Sequence, residues 1–164
     1  PEKLIPTVVL AAIEGKDIPL YGDGLNIRDW LYVGDHIRAI RRIHEAGTPG
    51  ETYNIGGNSE RTNRSVINTI LSILDRERPR SDGHSYSEQV KLVTDRPGHD
   101  RRYAMDASRL MRELDWTPEF SFESAIGETV RWYLANEKWW KNIRSQTYSG
   151  ERLGVLSPSE RGEE

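Results

Sequence analysis

The chain contains no cysteine, which excludes a disulfide framework and a zinc site with thiolate ligands. Its histidines do not stand at metal-ligand spacing, and no glycine-rich dinucleotide-binding loop opens a helix after a strand. No apolar run approaches the roughly 20 residues that a membrane-spanning helix needs. We therefore expect no metal site, no dinucleotide site and no membrane span in this chain.

A large excess of charge is also lacking. The formal net charge is −3 at pH 7, which predicts no general attraction to nucleic acid or to an anionic membrane. Any bound anion must therefore be held locally by a few arginines. The 164 residues suffice for about one domain with its own core. The first residues, Pro1, Glu2 and Lys3, do not resemble a signal peptide, and we expect a cytoplasmic location.

Short strands alternate with helices along the chain. Apolar spacing and end signals predict helices over Lys3–Glu14, Asp35–Ala46, after a cap at Asn63, after Asp106, and from Ser121 to Trp140. Strands are predicted at Ile18–Tyr21, Asp29–Val33, Thr52–Ile55 and Val90–Val93, with a loop over Arg76–Gln89. These strands are too few to complete a doubly wound sheet, so we predict an α/β chain that carries part of a larger fold.

The run from Asp95 to Asp100, Asp-Arg-Pro-Gly-His-Asp, is a candidate ligand-binding loop. Pro97 and Gly98 predict a tight turn that holds Arg96 and His99 together at the end of a strand. An arginine fork beside a histidine donor is suited to binding a diphosphate. A polar surface turn with an Arg–Asp pair explains the same residues. His99 has no accompanying nucleophile or carboxylate dyad that would favour a role as a catalytic base.

A second candidate loop is Tyr21-Gly22-Asp23-Gly24, which is followed by Arg28. Its two glycines would let the backbone approach a ligand closely. Tyr21 could lie against a base, and Arg28 could reach a phosphate. The alternative is a hairpin-like connection that leaves Arg28 in solvent.

Several other positions leave a structural and a functional interpretation open. Lys3, at a helix N-terminus, could meet a phosphate or face solvent. Asn63 could cap a helix or place its amide on a ligand. The final helix carries an aromatic cluster that favours packing over base stacking, formed by Trp132, Tyr133, Trp139 and Trp140.

Taken in order, these motifs resemble the C-terminal half of the dTDP-glucose 4,6-dehydratases, which are extended short-chain dehydrogenases/reductases. The resemblance rests on Pro1–Pro6, Tyr21–Gly24, Arg28–Val33, Glu51–Gly57, Asp95–Asp100 and Trp132–Asn136. Two of these motifs, Tyr-Gly-Asp-Gly and Arg-Asp-Trp, also occur in nucleotide-sugar epimerases and decarboxylases. The resemblance implies a nucleotide-sugar-binding part over residues 1–154, with one or two elements that normally complete the Rossmann sheet, and a polar tail over residues 155–164.

The resemblance also implies a reaction. The whole enzyme would use bound NAD to oxidise C4 of dTDP-glucose, eliminate water across C5 and C6, and return the hydride to C6. The product, dTDP-4-keto-6-deoxyglucose, is a precursor of rhamnose and other deoxysugars. The NAD site and the catalytic residues would belong to an N-terminal Rossmann half upstream of Pro1, and the full enzyme would be a homodimer. We therefore expect no catalytic residue and no turnover in this chain alone.

The resemblance places the substrate residue by residue. The diphosphate side would be lined by Lys3 and Leu4. The thymine and its sugar would contact Pro19, Leu20 and Tyr21. The phosphates would pair with Arg28 and Arg96. The pocket would be closed by Asn63 and His99, and the loop would add Asp95, Pro97 and Gly98.

The sequence departs from the family at Gly34, which stands where an acidic residue usually precedes Asp35. In the family, the helix after Tyr32 and the strand at Thr52 belong to the nucleotide-binding sheet. In this chain we expect an uncovered strand edge and an uncovered apolar helix face. Two other functions stay open: a stand-alone, non-catalytic nucleotide-sugar-binding module, or part of a UDP-sugar epimerase or decarboxylase.

Overall fold

A computed structural model describes residues 3–146, and the statements below refer to that part of the chain. The helices are α1 (Leu4–Ile13), α2 (Val33–Ala46), α3 (Asn63–Glu77), α4 (Ser108–Leu114), α5 (Phe122–Ala135) and α6 (Glu137–Gln146). The strands are β1 (Ile18–Tyr21), β2 (Ile27–Asp29), β3 (Glu60–Thr62), β4 (Val90–Val93) and β5 (Arg102–Tyr103). A short 3₁₀ helix (Tyr86–Gln89) leads into β4. The predicted tail, 155–164, lies outside the described residues.

The main core is built by α1, α3 and α5 around the parallel pair β1–β4. Helix α3 contributes an apolar face at helical spacing, with Val66, Ile67, Ile70, Leu71 and Leu74 all buried. The α3 cap is Thr62, whose hydroxyl accepts a hydrogen bond from the Ser65 amide at 3.1 Å, and Asn63 is the first helical residue. The predicted cap at Asn63 was therefore wrong by one position, because the hydroxyl of Thr62 satisfies the free amide.

A smaller cluster joins α2 to α4 and the segment that follows it. It buries only Ala39, Leu110, Leu114 and Trp116. The link to the start of α5 is polar. The buried carboxylate of Asp35 accepts hydrogen bonds from Arg38 at 2.6 Å and from the amides of Glu119 and Phe120 at 3.2 and 3.1 Å. Burial alone would raise the pKa of Asp35, but these hydrogen bonds outweigh it and hold the pKa below its usual value.

A second, three-stranded sheet has the order β3-β2-β5. Strand β2 pairs antiparallel with β3 and parallel with β5, so that Arg28 lies opposite both Arg61 and Tyr103. The carboxylate of Asp29 accepts from the amides of Gly57 and Ser59 at 2.9 and 2.7 Å and holds the connection to β3. This small sheet fixes the position of Arg28 relative to the chain that follows β4.

Several predicted elements differ from the structure. The predicted strand Thr52–Ile55 is irregular, because no neighbouring strand pairs with it among the described residues. The extended segment Asp29–Val33 is a strand only as far as Asp29, and α2 begins at Val33. The last helix is interrupted at Asn136, whose backbone leaves helical geometry (φ −113°, ψ 35°). Residues 76–89, predicted as a loop, contain the end of α3 and the 3₁₀ helix.

Helix α2 presents an uncovered apolar stripe. Val33, Ile37 and Ile40, spaced by four and three residues, are 64, 59 and 52% exposed. The expectation of an uncovered apolar face on this helix is confirmed. None of the helices within residues 3–146 has the length and apolarity to cross a membrane.

Candidate functional site

The two candidate loops leave the same edge of the main parallel pair. Tyr21, the last residue of β1, lies opposite Val93, the last residue of β4. The amide of Gly22 donates to the Val93 carbonyl at 2.9 Å, which ties the first loop to the end of β4. Carboxyl ends of parallel strands are the usual place for ligands in open α/β sheets. The topology therefore brings together the two loops that the sequence singled out.

Gly22 allows the two loops to touch. Its φ is +57°, and a Cβ placed there would lie 3.0 Å from Oδ2 of Asp95. A larger residue would meet both backbone strain and the carboxylate of the facing loop. The predicted need for glycine in this turn therefore has a geometric cause.

Asp95 organises the second loop. Its Oδ1 lies 2.6 Å from Nδ1 of His99 and accepts from the Arg96 amide at 2.8 Å. The His99 side chain is only 5% exposed. The hydrogen bond from His99, followed by that from the Arg96 amide, holds the pKa of Asp95 below its usual value. The predicted turn is confirmed, with the His99 amide donating to the Arg96 carbonyl at 3.2 Å and Gly98 at φ +67°.

Two arginines at this edge lie against aromatic rings. The Cζ atom of Arg96 is 5.8 Å from the ring centre of Tyr21, and that of Arg28 is 4.3 Å from the ring centre of Tyr103. Among the described residues, neither arginine forms an ion pair with a carboxylate. Nearby arginines do, since Arg101 contacts the Asp23 carboxylate at 3.1 Å. Arg28 and Arg96 therefore keep charge that an anionic ligand could use.

The remaining predicted residues are less directly placed at this edge. Leu20 is buried in the main core, and Pro19 beside it is half-buried. Lys3 is exposed just before α1, and the adjacent Leu4 packs against the main core. Asn63 is the first residue of α3, and its backbone N–H donates to the backbone carbonyl of Asn26 at 2.9 Å. The structure thus joins Tyr21 to the 95–99 loop, and it joins Arg28 to Asp100 at the end of that loop.

The sequence did not predict the roles that Asn26, Asp100 and Tyr103 have at this edge. Asn26 is buried, and its Nδ2 donates to the carbonyl of Asp100 at 3.2 Å. The Asp100 carboxylate is hydrogen-bonded to the hydroxyl of Tyr103. The two-residue strand that carries Tyr103 has too short a pattern to be recognised. The one available signal was its position directly after the 95–100 loop.

An apolar groove of about 260 Å³ lies elsewhere, between the start of α1, residues 30–33 and α5. Trp30, Phe122 and Tyr133 are among its walls, and no charged side chain lines it. The groove therefore has no positive charge that could neutralise a phosphate, whereas the site with Arg28 and Arg96 has two. Within residues 3–146, no group of three or more histidine and acidic side chains is placed to hold a metal ion.

Comparison with known proteins gives the family. A family model described as GDP-mannose 4,6 dehydratase matches residues 1–129. The chain belongs to this family. A dTDP-glucose 4,6-dehydratase of Xanthomonas campestris is 53% identical over 94% of this chain and 44% of its own length. Another from Escherichia coli is 50% identical over 95% of this chain and 44% of its own length.

Solved structures agree with this assignment. The crystal structure of dTDP-glucose 4,6-dehydratase from Bacillus anthracis in complex with NAD matches with a TM-score of 0.76 and 49% identity, over 87% of this chain and 42% of that one. The enzyme DesIV of Streptomyces venezuelae matches with a TM-score of 0.77 and 42% identity over the same shares. UDP-glucose 4-epimerase from Thermotoga maritima shares only the fold, at 23% identity and a TM-score of 0.72.

The chain spans about 44% of the length of the curated relatives it matches and corresponds to their C-terminal part. The predicted resemblance to the C-terminal part of the dTDP-glucose 4,6-dehydratases, and the α/β fold of an extended short-chain dehydrogenase/reductase, are both confirmed. The assignment of individual contacts to a ligand stays a prediction.

Proposed function

We propose that this chain is the substrate-binding part of a dTDP-glucose 4,6-dehydratase, which converts dTDP-glucose to dTDP-4-keto-6-deoxyglucose. The observation that carries the proposal is the pair Arg28 and Arg96, which lie on β2 and on the loop after β4 and have no carboxylate partners among the described residues. A nucleoside diphosphate needs two phosphate groups neutralised at a short distance from each other. Two arginines, one on β2 and one on the 95–100 loop, supply that charge in an otherwise weakly acidic chain.

Each part of the edge then has a task in binding. Arg28 and Arg96 pair with the phosphates, and Tyr21 lies beside the thymidine. The hydrogen bond to Asp95 keeps His99 in one orientation. The histidine therefore loses little side-chain entropy when it closes the pocket. Gly22 lets the first loop approach the second closely enough to form one surface. Lys3, Leu4, Pro19, Leu20 and Asn63 complete the proposed contacts.

The chemistry would come from the rest of the enzyme. The curated relatives are more than twice as long as the matched region, and the similar dehydratases of Bacillus anthracis and Streptomyces venezuelae were solved with NAD bound. We assign the NAD site and the catalytic residues to their N-terminal Rossmann part. The exposed stripe of Val33, Ile37 and Ile40 is the surface of this chain that such a part would cover. The whole enzyme would act as a cytoplasmic homodimer, with residues 1–154 forming one binding part.

The decisive test is a calorimetric titration of the purified chain with dTDP, and with UDP for comparison. We expect saturable dTDP binding that Arg96→Ala weakens roughly 10- to 100-fold, as for the loss of a charge-assisted hydrogen bond. Arg112→Ala is the matched control, because Arg112 is an exposed arginine on α4 whose only hydrogen bond within residues 3–146 goes to the Ser108 carbonyl. It should bind dTDP like the wild type.

Three results would contradict the proposal. Equal weakening by both arginine variants would mean unspecific attraction, and wild-type affinity in Arg96→Ala would remove the proposed phosphate contact. Binding of UDP as tight as that of dTDP would favour a UDP-sugar enzyme instead. The chain alone should show no dehydratase turnover, and measurable formation of the 4-keto sugar would refute the division of labour.

A further inference from the structure

Tyr103 and Arg28 form a stacked pair across two neighbouring strands. They are directly opposite each other in the parallel pairing of β2 and β5. The guanidinium carbon of Arg28 lies 4.3 Å from the centre of the Tyr103 ring. One face of the guanidinium is therefore covered by an aromatic ring rather than by water.

The pair is anchored at both ends. Nη1 of Arg28 donates to the carbonyls of Ile27 and Asp100 at 2.7 and 3.1 Å. The Tyr103 hydroxyl is bonded to the carboxylate of the same Asp100. Buried Asn26 donates to the Asp100 carbonyl as well, at 3.2 Å. Asp100 is therefore the common support of the arginine and of the ring that covers it.

The free edge of the guanidinium follows from these bonds. Arg28 forms its hydrogen bonds through Nη1. Within the described residues, its Nε and Nη2 atoms therefore have no hydrogen-bond acceptor. An arginine with one nitrogen bonded to backbone and one face stacked has few remaining rotamers. The free Nε–Nη2 edge has the fork geometry that suits bidentate binding of a phosphate.

The charges of both Arg28 and Arg96 affect the pKa of Tyr103. The hydrogen bond to Asp100, together with burial, holds the pKa of Tyr103 above its usual value. The positive charges of Arg28 and Arg96 oppose this shift. The phenol is therefore neutral at physiological pH, donates to Asp100, and lies close enough to both arginines for their charges to act on it.

We propose that Tyr103 is a positioning residue for nucleoside diphosphate binding: tethered to Asp100, it holds the Arg28 guanidinium with its Nε–Nη2 edge toward the phosphates. This inference rests on the proposed function, since it assumes that Arg28 pairs with the diphosphate. It assigns a role to a residue outside the predicted site. It also explains why Arg28 stacks on a ring instead of pairing with a carboxylate.

The test is a double-mutant cycle on dTDP binding, measured by calorimetry, with Arg28→Ala, Tyr103→Leu and the double variant. We expect Tyr103→Leu to weaken binding about tenfold in the wild-type chain and to have no further effect in Arg28→Ala. Tyr103→Phe, which keeps the ring but loses the tether, should fall between wild type and Tyr103→Leu. Tyr103 is 54% exposed, so these variants should keep the fold.

A matched control uses another Arg–Tyr stack. Tyr53 lies under Arg109, with the guanidinium carbon 4.9 Å from the ring centre, but that arginine is paired with Glu51 and Glu113. Tyr53→Leu should leave dTDP affinity unchanged. As a readout of positioning, the Nε–H group of Arg28 should be ordered in the wild type by ¹⁵N relaxation and mobile in Tyr103→Leu.

The outcomes separate the inference from the function it rests on. If Arg28→Ala weakens dTDP binding and Tyr103→Leu does not, the positioning role is overturned while the binding function stands. Additive losses in the double variant would also overturn it, because they would mean that Tyr103 acts independently of Arg28. A wild-type chain that does not bind dTDP would remove the function and the inference together.

Discussion

The two halves of the structure bury their apolar residues very differently. The region of α1, β1, α3, β4 and α5 closes a continuous core in which whole helix faces are buried. The region of α2, residues 47–59 and the segment from Ser108 to Trp116 buries four apolar side chains in its cluster and leaves Val33, Ile37 and Ile40 in solvent. The two loops of the candidate site directly follow β1 and β4, which belong to the first region. The candidate site can therefore stand on its own core, while the second region leaves an apolar surface that, under the proposed function, another part of the enzyme would cover.

The difference in burial between the two regions predicts that the same substitution destabilises them to very different extents. Ile70 is fully buried in α3, and Ile37 is 59% exposed in α2. Ile70→Ala should lower the free energy of unfolding by about 2–5 kcal/mol, because it leaves a cavity. Ile37→Ala should change it by about 0.5 kcal/mol or less. Urea denaturation measures both, and a comparable loss for the two variants would mean that α2 is buried in solution.

The second region has one strong internal tie, at Asp35. Asp35→Ala would leave the amides of Glu119 and Phe120 without their acceptor, at an expected cost of about 2–4 kcal/mol. Asp17→Ala, at an exposed position between α1 and β1, is the control and should be nearly neutral. Thermal and urea unfolding of both variants would show the contrast. A neutral Asp35→Ala would mean that α2 is not fastened to the start of α5.

The smallest effect concerns the pH dependence of the binding edge. The pKa of Asp95 is held below its usual value of about 3.8, mainly by the hydrogen bond from His99. A lowered carboxyl pKa contributes stability above the unfolded pKa, and that contribution is lost as the pH falls through the folded value. The unfolding free energies of wild type and Asp95→Asn should thus differ at pH 6 and converge below pH 3.8. The effect should be small because the carboxylate is exposed and screened by solvent. A difference that grew on acidification would contradict the assigned hydrogen bond.

The sequence predicted those parts that depend on local patterns. Strands β1 and β4, the turn at Pro97–Gly98 and the start of a helix at Ser121 each follow from a few neighbouring residues, and all are present. The failures are non-local. A strand forms only where another strand pairs with it. The residues Thr52–Ile55 have the composition of a strand but no paired neighbour among the described residues, whereas β3 and β5 are paired but too short to be predicted from their sequence.

The candidate site divides in the same way. The loop residues Asp95, Arg96 and His99 could be chosen from residue type and spacing. The support of Arg28 by Tyr103 could not, because it depends on the register between β2 and β5. Leu20 was chosen through the family resemblance, which gave no indication that its side chain is buried in the core. Residue type indicates what a side chain could bind, whereas register and burial decide what it can reach.

The most direct test of the central claim is a titration of the ¹⁵N-labelled chain with dTDP, followed amide by amide in NMR spectra. The amides of Gly22–Gly24 and of Arg96–His99 should shift together and saturate with one dissociation constant, while residues 47–58 of the second region stay unchanged. Saturable shifts confined to the apolar groove around Trp30 and Phe122, with none in the two loops, would contradict the assignment of the nucleotide site.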